Sequence, residues 1–166
     1  MRFEQSGISV ELPPGWQAAA FHRTEMSAAS LRTASADRLA SVAPGATTHP
    51  VVHAASFPLP PDRGDYGSGA VDAMTATDLF VSLVEFHPDA SRTPLFARAG
   101  VPRDLALTDF DASALQRTLV GQSGCQRFFS EQGRAFCLYV VLGSHTRRHT
   151  LVPQLNSLLG TLEVRP

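Results

Sequence analysis

Hydrophobic positions along this chain change period from segment to segment, and each period predicts an element. Strict alternation marks the start. Ile8, Val10 and Leu12 interleave with Ser9 and Glu11, a half-buried strand that Pro13-Pro14-Gly15 brings to a stop. Trp16 follows the turn, and residues 18–21 are expected to run back beside that strand. Residues 51–57 form a compact apolar strand closed by Pro58-Leu59-Pro60-Pro61. Residues 78–86 are apolar almost throughout, as in a strand buried on both faces, and His87-Pro88 halts them.

The C-terminal third is the clearest part. Residues 125–131, the dipeptide Gln132-Gly133 and residues 135–142 predict a hairpin with a two-residue turn. Phe136, Leu138, Val140 and Leu142 fall on one face, and Cys137, Tyr139 and Val141 on the other. Both faces of the sheet should therefore be covered. Leu151, Leu155, Leu158, Leu159 and Leu162 recur at helical spacing, predicting a helix over about 151–159 with Pro153 in its first turn. Residues 162–164 then make a short closing strand.

Elsewhere the pattern is weaker. Residues 24–49 are rich in Ala, Ser, Thr and Arg with few large apolar side chains, which suits a weak helix near 30–39 or a mobile insert. Residues 62–69 form a loop leading into one helical turn at 70–74. Residues 94–107 are irregular, and 109–118 are a loop or a short helix. The expectation is one α+β domain over 1–166. Its antiparallel sheet is covered on both faces by helices and loops, in an α/β/α three-layer arrangement.

Composition narrows function by exclusion. A chain of 166 residues buries about 70% of its unfolded surface and needs no metal or disulfide to hold a core. The formal net charge of −1 leaves no basic footprint for nucleic acid, and apolar runs stop well short of a membrane span. Residues 1–10 lack the apolar stretch of a secretory signal, so a cytoplasmic location is expected. All fourteen basic residues are Arg. Without Lys there is no amine for a Schiff base or for a phosphate-loop ammonium. The hairpin register places Cys125 opposite Val140 and Cys137 opposite Phe128, with the thiols on different faces. A disulfide between them is not expected; they are expected to be small buried apolar groups.

The strand and turn Ile8-Ser-Val-Glu-Leu-Pro-Pro-Gly-Trp16, the hairpin segment Gly133-Arg-Ala-Phe-Cys-Leu-Tyr-Val140 and the Leu-rich helix with Leu162-Glu-Val164 resemble small bacterial domains of the PsbP-like superfamily. That superfamily is named after an extrinsic protein of photosystem II. The resemblance covers less than half of the chain. It implies an antiparallel sheet between helices and, mostly, binding roles, including a nuclear-transport regulator and chaperones of some bacterial secretion effectors. No catalytic set is common to that superfamily, so none is carried over.

Candidate chemistry is sparse. His145 and His149 have the i, i+4 spacing of some zinc ligands, but Arg147 and Arg148 put positive charge beside any cation. His49 and His53 share the spacing in a β-rich context. Glu85 and His87 lie two apart on one strand face, either as a metal or proton site or where that strand leaves the core. Ser123, between glycines, precedes a strand, whereas a nucleophile elbow joins strand to helix. Gly64 to Gly69 has the wrong glycine order for a dinucleotide loop. Asp109 and Asp111 suit caps for the segment that follows.

Aromatic residues including Trp16, Phe57 and Tyr66 sit among proline-rich connections, where they either lock loops or line a groove. Arg127 falls on the face of Phe129 and Phe136, so it requires an acid such as Glu11 or Glu85, or else a ligand. The reading that follows is a non-enzymatic, adaptor or chaperone-like module with another protein as partner. No cofactor, metal, nucleic acid or membrane is expected. The alternatives are a small-ligand or enzymatic pocket built from Arg127, Tyr66 and one of His53 or His87, and a self-associating subunit that pairs as a homo-oligomer through a strand edge or the final helix.

Overall fold

The apolar segments pair into two antiparallel sheets. A computed structural model describes residues 1–25 and 47–166. Strands β1 (Arg2–Gln5) and β2 (Ile8–Glu11) form a hairpin that joins a short C-terminal strand, β8 (Glu163–Val164), in the order β1-β2-β8. The larger sheet contains β3 (Gln17–Glu25), β4 (Thr47–Ala55), β5 (Leu79–Phe86), β6 (Ser123–Glu131) and β7 (Arg134–Leu142), in the order β3-β4-β5-β7-β6. Helix α1 (Arg148–Gly160) follows β7.

The predicted hairpin register holds throughout: Cys125 pairs with Val140, Arg127 with Leu138 and Phe128 with Cys137. Gln132 and Gly133 both take positive φ, 52° and 74°, the conformation a two-residue turn between right-twisted strands requires. Ser6 and Gly7 repeat that geometry between β1 and β2.

Both faces of the large sheet are buried, with unlike covers. On one face Val52, Ala54, Leu83, Cys125, Phe129, Leu138 and Val140 pack with Leu151, Leu155 and Leu158 of α1 and with Ile8, Val10 and Val164 of the small sheet. On the other face, Phe80, Tyr139 and Val141 lie beneath Phe57, Ala70, Tyr66 and Leu115, which come from loops.

This overturns the predicted α/β/α three-layer fold. Among the described residues the protein is mainly β, eight strands with one short helix, and the second cover is loop and 3-10 turn. The physical reason lies in the covering segment itself. Pro58, Pro60, Pro61, Gly64, Gly67 and Gly69 oppose a helix there. Gly67 also has φ +81°, and a Cβ at that position would run into the Phe80 ring, so the loop lies directly on the sheet.

Two local expectations also change. Residues 18–21 do not return beside the first strand; β3 pairs with β4 along its whole length, from Gln17↔Ala55 to Glu25↔Thr47. Both edges of β2 are already taken, by β1 and β8. Pro153 is inside α1 instead of in its first turn, because the helix starts at Arg148 after a 3-10 turn over His145–Arg147. Of the expected insert at 24–49, the two ends belong to β3 and β4, and the remainder, including the weak helix near 30–39, lies outside the described residues. Among the described residues, no helix is long and apolar enough to cross a membrane.

Candidate functional site: a recess under the loop-covered face

Two fully buried polar residues in apolar strands organise this face. His53 of β4 and Ser82 of β5 pair across the ladder, and both are 0% exposed. Both donate to a single acceptor, the Asp65 carbonyl, from Nε2 at 2.9 Å and Oγ at 2.5 Å. Arg63 Nε donates to His53 Nδ1 at 2.9 Å, and Arg63 Nη1 donates to Pro60 O at 2.6 Å. Since Nδ1 accepts, the His53 proton sits on Nε2, and the imidazole is neutral. Burial, more than any other influence, lowers its pKa from 6.5 to about 4; the Arg63 charge adds to this, and the bond to Asp65 opposes it. The segment is thus pinned to the sheet by its own backbone carbonyl.

The pinned segment forms one wall of a recess of about 330 Å3. Asp65, Tyr66, Ser68 and Val71 line that side, and Leu115, Gln116, Arg117 and Gln122 line the other. Tyr139 and Val141 of β7 also line it, from the sheet. Tyr66 and Tyr139 meet edge to face, with ring centroids 5.4 Å apart. The Gln116 backbone N–H donates to the Tyr139 hydroxyl at 3.0 Å, which holds the second wall in place. Two links cross between the walls: Gln122 Nε2 donates to Val71 O at 2.9 Å, and Arg117 pairs with Asp72. Burial pushes the Tyr66 hydroxyl up to about 12 and raises that of Tyr139, so both phenols are protonated at neutral pH.

The predicted site residues are scattered relative to this recess. Tyr66 lines it. His53 lies beneath the pinned segment, and Phe57 packs in the cluster of Phe80, Tyr139 and Val141. Trp16 and Arg127 belong to the opposite face. Trp16 packs against the helix-side core, and Arg127 Nη2 pairs with Asp109 at 2.7 Å. The acid for Arg127 is therefore neither Glu11 nor Glu85. His87 caps a 3-10 turn beyond the end of β5, its Nδ1 accepting from Asp89 N. A pocket uniting Arg127 with Tyr66 is not formed, because the sheet separates them.

Other candidates resolve as structural groups. Ser123 is fully buried in β6, out of reach of a substrate. Burial raises both thiols, Cys125 and Cys137, to about 11, so neither is a thiolate near pH 7. Glu85 is ion-paired to Arg134. Asp111 caps the turn at 112–114 by accepting from Ser113 N. Among the described residues, no group of three or more His, Cys, Asp or Glu side chains could hold a metal ion.

Sequence reasoning missed Ser82, Arg63, Asp65, Gln122 and the Arg117–Asp72 pair. A legible signal existed for one of them: Ser82, like His53, interrupts an otherwise apolar strand, and a buried polar group must have a partner. Comparisons with protein-family models, with curated proteins and with solved structures find no match to this chain.

Proposed function

We propose that the chain is a non-catalytic binding module whose recess receives a side chain of another protein, in an adaptor or chaperone-like role. One observation carries this reading. The recess is lined by aromatic and aliphatic groups, with polar groups that tie its walls together instead of converging on a reacting atom. Its volume of about 330 Å3 lies at the low end for small-molecule sites, and it suits one large side chain. The PsbP-like resemblance points the same way, since the roles it implies are mostly binding roles. The cytoplasm is the compartment that accords with two unpaired thiols.

Ser68 is exposed and lines the recess, so Ser68→Trp fills the recess without disturbing the core. Proteins captured from native lysate by the wild type and lost with Ser68→Trp support the reading. Capture that is identical for the two forms refutes it.

A second reading, self-pairing, rests on the edge strand β3. Among the described residues no strand pairs with its outer side, and residues 17–22 carry no Lys, Pro or acidic group to discourage pairing. Sedimentation that reports monomer across a wide concentration range rejects it.

A further inference from the structure

One buried acceptor on the recess wall has no donor among the described residues. Gln122 is 7% exposed, and its Nε2 is committed to Val71 O at 2.9 Å, which settles which end of the amide is oxygen. Oε1 is left out of contact with bulk water and without a hydrogen bond. Leaving a buried acceptor unmade carries a real penalty, and native proteins leave few such groups. Nearby, the Tyr139 hydroxyl accepts from Gln116 N, and Arg117 and Asp72 neutralise each other. Leu115, Val71, Val141 and the aromatic residues Tyr66 and Tyr139 line the recess together with Gln122.

These features describe the missing group. It is flat, because aromatic edges and faces line the space. It is uncharged, because the charges near the recess already have partners. It brings a donor for Gln122 Oε1, and a group with a donor and no acceptor leaves nothing further of its own to satisfy. Among side chains, the indole of tryptophan alone meets all three conditions. Resting on the binding reading above, we propose that the recess accepts the indole ring of a tryptophan presented by a partner protein, with the indole N–H donated to Gln122 Oε1. Docking requires a side-chain adjustment at Gln122, of the kind common at interfaces, that brings Oε1 to the recess surface.

The test uses the intact chain and three probes, followed by amide chemical shifts. Indole should perturb residues 115–122 and Tyr139 and bind about fivefold or more tighter than 1-methylindole, the ratio expected for one net hydrogen bond. That preference should vanish in Gln122→Met. The comparison of the two indoles in wild type needs no variant, so it stands even if Gln122→Met folds poorly. The blocked peptide Gly-Trp-Gly should bind more tightly than free indole. A peptide that binds more weakly overturns the partner tryptophan and assigns the recess to a free indole-like molecule. Equal binding of indole and 1-methylindole overturns the role of Gln122 while leaving the binding reading intact. No binding of any probe overturns this inference, and the Ser68→Trp capture then decides the reading beneath it.

Discussion

Arg134 and Glu85 form a two-pronged ion pair across the strands β7 and β5, Nε to Oε1 at 2.9 Å and Nη2 to Oε2 at 2.7 Å. Both are largely buried, with side chains 14% and 8% exposed. Arg134 also donates to the Arg165 and Ser6 carbonyls, at 2.8 and 3.0 Å. A single guanidinium therefore ties the small sheet and the C-terminal residues to the large sheet.

Removing one partner strands the other charge. Arg134→Met should cost about 3–5 kcal/mol, because Glu85 is then buried without a counter-ion. The double variant Arg134→Met, Glu85→Leu should recover most of that loss. Urea denaturation of the two proteins measures both values; a single variant within 1 kcal/mol of wild type would show that the pair does not hold the sheets together.

The hairpin turn carries removable strain. Gln132 has φ 52°, a left-handed conformation that costs an L residue about 1–2 kcal/mol, and less for Asn. Gln132→Asn should stabilise the fold by roughly 0.5 kcal/mol, and Gly133→Ala should destabilise it by about 1 kcal/mol. Thermal melts of opposite sign for these neighbours are the expected outcome.

His53 makes stability depend on pH. Its folded pKa, about 4, lies below the ordinary 6.5, so the unfolded chain takes up this proton first as pH falls. Stability is complete above pH 6.5 and declines between 6.5 and about 4, by about 3 kcal/mol in total. The groups packed on the ring are Arg63, the Asp65 carbonyl, Phe21 and Phe80, and none of these supplies a compensating negative charge. NMR titration of the His53 ring should show no protonation at pH 6; an inflection near 6.5 would mean that the pinned segment is not seated on the sheet.

The two thiols should be silent in the native state. Burial, above all, raises Cys125 and Cys137 to about 11, and they lie on opposite faces of the sheet. A thiol reagent at pH 8 should label neither until urea unfolds the chain, after which it should label both. Rapid labelling without urea would contradict the packing of β6 on β7.

Periodicity by itself determined the hairpin of β6 and β7 down to its register, the burial of both its faces and the existence of the last helix. These follow from short-range rules: side chains alternate along a strand, and a two-residue turn leaves one way to pair its flanks. The same rule applied to Ser6-Gly7, but β1 is only four residues long and too short to stand out. What covered each face was a tertiary decision. An apolar sheet face asks only to be shielded from water, and that demand is met equally by a helix or by a loop carrying Phe57, Tyr66 and Leu115. The choice of acid for Arg127, Asp109 and not Glu11 or Glu85, depended on where an irregular segment comes to rest against β6. The recess exists for the same reason: His53 and Ser82 hold one carbonyl, Asp65 O, and no periodicity in the chain encodes the meeting of residues from three separate segments.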